Sequence, residues 1–178
     1  YRHVKNNDVL SKWMTVLIVG FRAGGRGYIA MDVTDPYAPR ILWEINHESL
    51  KDPNNSAKGT FSRMGYTYGR AFIANVLVDC DGISSTIQTC SERMQERAVA
   101  IIPGGIALKK QLGKNLVDQN ETTIGSVIFV VDLETGVLLR QLDALDGRGF
   151  ASTPVGYGVP PAITTRVFVG DVLGRIFR

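Results

Sequence analysis

The sequence predicts an all-β chain, and two observations carry that prediction. Short apolar runs of about five to eight residues, rich in Val, Ile, Phe and Tyr, alternate with Gly, Pro, Asn and Asp punctuation. Almost no window spaces its apolar residues three or four apart, as an amphipathic helix would. A third observation bears on architecture: the strands recur in one order, with the same turn residues between them.

Candidate strands run over residues 14–20, 27–33, 40–45, 69–76, 98–102, 126–133, 137–142, 151–155, 166–170 and 174–177. Only 91–97, Ser-Glu-Arg-Met-Gln-Glu-Arg, reads as a helical turn, with Ser91 as its N-cap. Gly27-Tyr-Ile-Ala-Met-Asp-Val-Thr-Asp35 leads into Arg40-Ile-Leu-Trp-Glu-Ile45. Further along, Ser126-Val-Ile-Phe-Val-Val-Asp-Leu-Glu-Thr-Gly136 leads into Val137-Leu-Leu-Arg-Gln-Leu142. In both, Asp32 or Asp132 stands where its carboxylate can accept turn N–H groups, and Gly136 suits a position of positive φ. Each hairpin follows a strand that ends in glycine: Val16-Leu-Ile-Val-Gly20 and Val99-Ala-Ile-Ile-Pro-Gly104. A third copy begins at Val167-Phe-Val-Gly170 and continues in Gly174-Arg-Ile-Phe177.

Repeated four-stranded units of this kind predict a β-propeller with quinoprotein-like blades. Residues 1–178 are then part of one propeller domain: a partial blade at 14–45, a full blade at 69–142 and a partial blade at 151–178. A ring closes with roughly four to eight blades, and about two and a half would leave unpaired edges. The chain therefore reads as a segment of a larger ring. Connections 46–64, 78–97 and 105–125 are long for a blade, and connections of that length are more often functional than structural.

Composition narrows the function classes. Twenty Lys+Arg against 17 Asp+Glu give a net charge of +3, too small and scattered for a nucleic-acid footprint. No apolar run reaches the roughly 18 residues of a membrane span, and Tyr1 does not open a signal peptide. Cys80 and Cys90 stand ten apart in a polar stretch, without the paired spacing of a zinc knuckle. A disulfide closing a small surface loop would suit an exported protein; two free thiols are the alternative. Asn54-Asn-Ser56 and Asn120-Glu-Thr122 match the glycosylation acceptor pattern, a short motif with a high chance rate.

The stretch Trp13-Met-Thr-Val-Leu-Ile-Val-Gly-Phe-Arg-Ala-Gly-Gly-Arg-Gly-Tyr-Ile-Ala-Met-Asp-Val-Thr-Asp-Pro36 resembles the propeller domain of the PilY-type proteins of type IV pili. Ile41-Leu-Trp-Glu44, Met64-Gly-Tyr-Thr-Tyr-Gly-Arg70, Val130-Val-Asp-Leu-Glu-Thr-Gly136, Ser152-Thr-Pro154 and Gly170-Asp-Val-Leu-Gly174 follow in that family's order. The resemblance implies an exported, non-enzymatic protein at the pilus tip or outer cell surface. It would promote pilus assembly with minor pilins and contribute to twitching motility and to adhesion to host or abiotic surfaces. Several family members bind Ca2+ in an Asp-rich loop of the last blades. The corresponding stretch here, 155–166, holds no carboxylate, so the expectation is no cofactor in this segment, with Ca2+ left to other parts of the parent protein.

Other chemistry reads more plainly as structure. Gly20-Phe-Arg-Ala-Gly-Gly-Arg-Gly27 lacks the Lys, the Ser/Thr and the following helix of a phosphate loop, so a tight turn is expected, with Arg22 and Arg26 as a small cationic spot at most. Asp32/Asp35 and Asp132/Glu134 recur at the same turn, which argues for capping rather than acid–base catalysis. Asp79-Cys-Asp81-Gly82 offers too few oxygens to hold calcium without help from another loop. His3 and His47 are isolated, and Trp13 and Trp43 are expected in the core or between blades. The alternatives kept are an envelope scaffold propeller and a quinoprotein dehydrogenase. The dehydrogenase would need repeated docking tryptophans, whereas Leu139 occupies the position equivalent to Trp43 in the second copy.

Overall fold

A computed structural model describes residues 2–5, 8–48, 60–79, 94–111, 114–117, 123–144, 148–159 and 163–178. Their regular structure is all β. A hairpin of β1 (Arg2–Lys5) and β2 (Asp8–Trp13) precedes an antiparallel three-stranded sheet of β3 (Val16–Gly20), β4 (Gly27–Asp32) and β5 (Arg40–Asn46). A four-stranded meander follows, built from β6 (Phe72–Asp79), β7 (Met94–Pro103), β10 (Val127–Asp132) and β11 (Leu138–Asp143). Between β7 and β10 stands the small hairpin β8 (Leu108–Gln111)–β9 (Lys114–Val117). Last come β12 (Val155–Val159), β13 (Ile163–Gly170) and β14 (Ile176–Phe177), antiparallel to one another. A single parallel pair, Ile163 with Asn75, joins β13 to β6.

The period of two along each strand decides how these sheets stack. On the meander, Ala98, Ala100, Ile102, Val127, Phe129 and Val131 face one way and pack against Tyr28, Ala30, Trp43 and Ile45 of the first sheet. Val99, Ile101 and Ile128 face the other way and pack against Phe150, in the segment before β12, and against Val169 and Phe177 of the last sheet. The middle sheet is thus covered on both faces, which is why Val-Ala-Ile-Ile and Val-Ile-Phe-Val-Val read as continuous apolar runs. Each fully buried Ile, Val or Phe there contributes about 1.5–3 kcal/mol. Edge-on aromatic pairs close both cores, Phe61 on Phe129 at 5.1 Å and Phe150 on Phe177 at 5.4 Å.

Two contacts lock the layers. Trp43, 6% exposed, crosses from the first sheet and donates its indole N–H to the Leu133 carbonyl at 2.9 Å. The indole covers Gly136, where a Cβ would stand 2.6 Å from Trp43 Cγ and where φ is +72°. Tyr28, fully buried in the same core, donates its hydroxyl to the Gly69 carbonyl at 2.7 Å. The ends of the long connections knot together through main chain. Gly65 N–H donates to Gly104 O at 2.7 Å, Gly125 N–H to Arg63 O at 2.8 Å and Phe150 N–H to Gly125 O at 3.1 Å. Backbones approach so closely there that a Cβ on Gly125 would sit 2.3 Å from the Gly105 carbonyl oxygen.

Several sequence expectations change. Residues 94–97 are the start of β7, paired with Val76–Asp79, rather than a helical turn. An isolated turn of helix is marginal in water, and a waiting partner strand satisfies every main-chain group. Residues 91–93 lie outside the described residues. The strand expected at 151–155 begins only at Val155, because the Ser152 hydroxyl bonds both the N–H (2.8 Å) and the carbonyl (2.9 Å) of Gly170 and fixes a loop. Connection 105–125 carries the β8–β9 hairpin. Trp13 is not a core residue: it ends β2, whose pairing is with β1, and is 73% exposed.

The Trp43 contact makes a measurable prediction. Gly136→Ala meets both the indole and an unfavourable φ, and should lower the unfolding free energy by about 2–4 kcal/mol. Gly174, at φ +78° with nothing within 4 Å of a new Cβ, isolates the backbone part. Gly174→Ala should cost about 1 kcal/mol, and equal urea midpoints for the two variants would remove the packing role of the indole.

Candidate interaction surface

Each of the three sheets turns on a buried aspartate, used in the same way. Asp32 Oδ1 accepts the Thr34 N–H at 3.0 Å, Asp132 Oδ1 the Glu134 N–H at 3.1 Å, and Asp171 Oδ1 the Leu173 N–H at 3.0 Å. Asp132 Oδ1 also takes the Thr135 N–H and hydroxyl, both at 2.9 Å, and Asp171 Oδ1 the Arg175 N–H at 2.9 Å. The second oxygen faces an arginine every time: Arg40 at 2.7 Å, Arg97 at 3.4 Å and Arg175 at 2.7 Å. Hydrogen bonds from the Thr34 side chain, Arg40 and the Thr34 N–H hold the Asp32 carboxyl well below the usual range. Burial opposes ionisation of Asp171, yet the Arg175 and Leu173 hydrogen bonds outweigh it and its pKa is also lowered. These carboxylates are committed to main chain and guanidinium, an arrangement that shapes turns.

Asp35 is committed to a turn as well, accepting the Tyr37 N–H at 2.9 Å. His47 lies 3.6 Å from Glu48. Among the described residues, no group of three or more His, Cys, Asp or Glu could hold a metal ion. Within the stretch aligned with the family's calcium loop, residues 155–159 and 163–166 belong to the paired strands β12 and β13, and 160–162 lie outside the described residues. Cys80 and Cys90, and with them Asp81 and Gly82, lie outside the described residues, as do His3's side chain and both glycosylation motifs. The described ends of connection 46–64 turn inward, with Phe61 and Met64 buried in the first core.

The turn after β3 departs from expectation. Its frame is tight, with Phe21 N–H on Gly27 O at 3.2 Å and Gly24 N–H on Phe21 O at 2.9 Å. Arg26 does not contribute to a cationic spot in the way expected: its Nε donates to the Met64 carbonyl at 2.7 Å, and burial lowers its pKa. The left-handed conformation, φ +55°, falls on Arg22 although glycines stand at 24, 25 and 27. Such a conformation costs a non-glycine residue about 1 kcal/mol or more. Nothing in the sequence pattern signals it, because the surrounding glycines look sufficient for the turn. Asp171, the third capping residue, is less visible in the sequence because its turn, Asp171-Val-Leu-Gly174, lacks the threonine that follows Asp32 and Asp132.

Stacked antiparallel sheets, each ended by a capped Asp turn and locked face to face, define a β-propeller chain. Residues 3–80 match the family model described as the PilY1 beta-propeller domain. The chain is 25% identical over 171 residues to the type IV pilus biogenesis factor PilY1 of Pseudomonas aeruginosa, covering 93% of this chain and 11% of that protein. Against the PilY1 homolog of Xylella fastidiosa it is 30% identical over 138 residues, covering 76% and 7%. The crystal structure of the Pseudomonas aeruginosa PilY1 C-terminal domain superposes with a TM-score of 0.58 at 22% identity, over 92% of this chain and 26% of that one. The chain is thus similar to the PilY1-type C-terminal propellers, and it spans about a tenth of the length of the curated Pseudomonas relative.

Because the folded pKa values of Asp32 and Asp171 are depressed, their stabilisation is complete above the unfolded value of about 3.9 and is lost as pH falls through the folded values. Urea midpoints should be flat from about pH 7 to 5 and fall below about pH 4. Asp171→Asn should lower stability at neutral pH by about 1–2 kcal/mol and flatten the acid slope. A slope unchanged in this variant would mean that the Arg175 pair contributes nothing.

Proposed function

We propose that this chain serves type IV pilus biogenesis as a non-enzymatic, surface-exposed part of a pilus tip complex. The observation that carries the reading is the match to curated pilus biogenesis factors over 93% of the chain. Minor pilins are the proposed assembly partners, with adhesion and twitching motility as consequences of the tip location. The blade division stated from the sequence, 14–45, 69–142 and 151–178 within one propeller, is part of the proposal, as is a Cys80–Cys90 bridge closing a presented loop. No helix of the described residues is long and apolar enough to cross a membrane.

Imaging of intact pili tests the reading. With an antibody to residues of the propeller, label should sit at pilus tips in the wild type, and a strain deleted for the gene should carry few or no surface pili. Normal piliation with label spread through the envelope would replace it with the scaffold reading. Mass spectrometry under non-reducing conditions should find Cys80 and Cys90 in one linked peptide; alkylation of both thiols would remove the bridge.

A further inference from the structure

We infer that Phe21, Arg22, Tyr68 and Arg70 form a docking surface for an acidic polypeptide segment, separate from the long connections. The inference does not rest on the pilus reading. Its starting point is that Arg22 holds a left-handed conformation in a loop whose glycines at 24, 25 and 27 carry no positive φ. A glycine at 22 would adopt that conformation freely, so the main-chain geometry gives no reason for an arginine there.

The conformation is fixed from below. The Arg22 N–H donates to Thr67 Oγ1 at 3.2 Å, and the hydroxyl of Thr67, a residue 1% exposed, donates to the Gly27 carbonyl at 3.0 Å. The side chain is thereby directed outward, with its guanidinium 6.0 Å above the Tyr68 ring. Tyr68 and Phe21 are 36% and 37% exposed. Arg70 follows Tyr68 across the buried Gly69; it is exposed, and its N–H is held by Thr153 Oγ1 at 3.2 Å. Among the described residues no carboxylate pairs with Arg22 or Arg70, whereas Arg40, Arg63, Arg97 and Arg175 all have one.

Two guanidiniums with no carboxylate partner among the described residues, on a pre-ordered main chain whose neighbouring residues Phe21 and Tyr68 are part-exposed aromatics, are the parts of an interface hot spot. The charge selects carboxylates, which a guanidinium fork binds through two parallel hydrogen bonds. The rings supply apolar area at little cost in side-chain entropy.

The test uses the full chain and a fluorescein-labelled peptide of four Glu-Tyr repeats, with a Lys-Tyr peptide as control, followed by fluorescence anisotropy. Saturable binding of the acidic peptide alone is expected, weakening between about 50 and 300 mM salt. Arg22→Gly and Arg70→Ala should each weaken it about tenfold. Arg22→Gly should also melt at the same temperature as the wild type or higher, since it relieves the strained conformation. A lower melting temperature for Arg22→Gly would give the arginine a structural purpose and overturn the inference. So would unchanged peptide binding in that variant, equal binding of the two peptides, or preferential binding to anionic lipid vesicles.

Discussion

The indole of Trp43 sets the spacing of the first two sheets, and much else follows from what it requires. Its ring needs a flat, Cβ-free floor, which only Gly136 provides, and its N–H needs a carbonyl, which Leu133 presents at 2.9 Å. Both belong to one turn, so that turn must be held in shape. Asp132 does this from inside, with three donors of the turn on one carboxylate oxygen. An aromatic contact between sheets therefore depends on a polar contact within one of them. A buried carboxylate is costly unless fully partnered, and the Arg97 guanidinium completes the set.

The same solution in all three sheets points to a general constraint of the fold. Each of these hairpins must turn within five to seven residues while its N–H groups leave the ladder. A carboxylate supplies two lone-pair faces: Oδ1 satisfies the turn and Oδ2 takes an arginine. Because the arginine comes from a different place each time, the device does not prescribe where neighbouring strands supply the charge. That freedom leaves the outer residues of each hairpin open to variation while the turn keeps its shape.

Legibility followed the same division between local and long-range causes. The capped turns at Asp32 and Asp132, the left-handed Gly136 and most strands lay in local patterns of alternation and punctuation, and could be read directly. Trp43 was legible as a between-sheet residue because it stands on the core-facing period of an apolar strand. Trp13 stands in an equally strand-like context, and its exposure follows from the pairing of β2 with β1, which no local pattern encodes. The polar run 94–97 was ambiguous for the same reason: its partner strand decides between helix and sheet. Arg22 was the least visible, since its conformation is fixed by Thr67, 45 residues away.

The Trp43–Leu133 hydrogen bond spans 90 residues of sequence. At a synthesis rate of about 5–20 residues per second, the first sheet leaves the ribosome on the order of ten seconds before its covering turn exists. Throughout that interval Tyr28, Ala30, Trp43 and Ile45 lack Phe129, Val131 and Leu133, although Phe61, Met64 and the β7 residues of the same core emerge earlier. The order of the chain thus gives the nascent protein a sticky intermediate, and a holding chaperone that shields the first sheet until β10 and β11 arrive would act on the same face that Trp43 later closes.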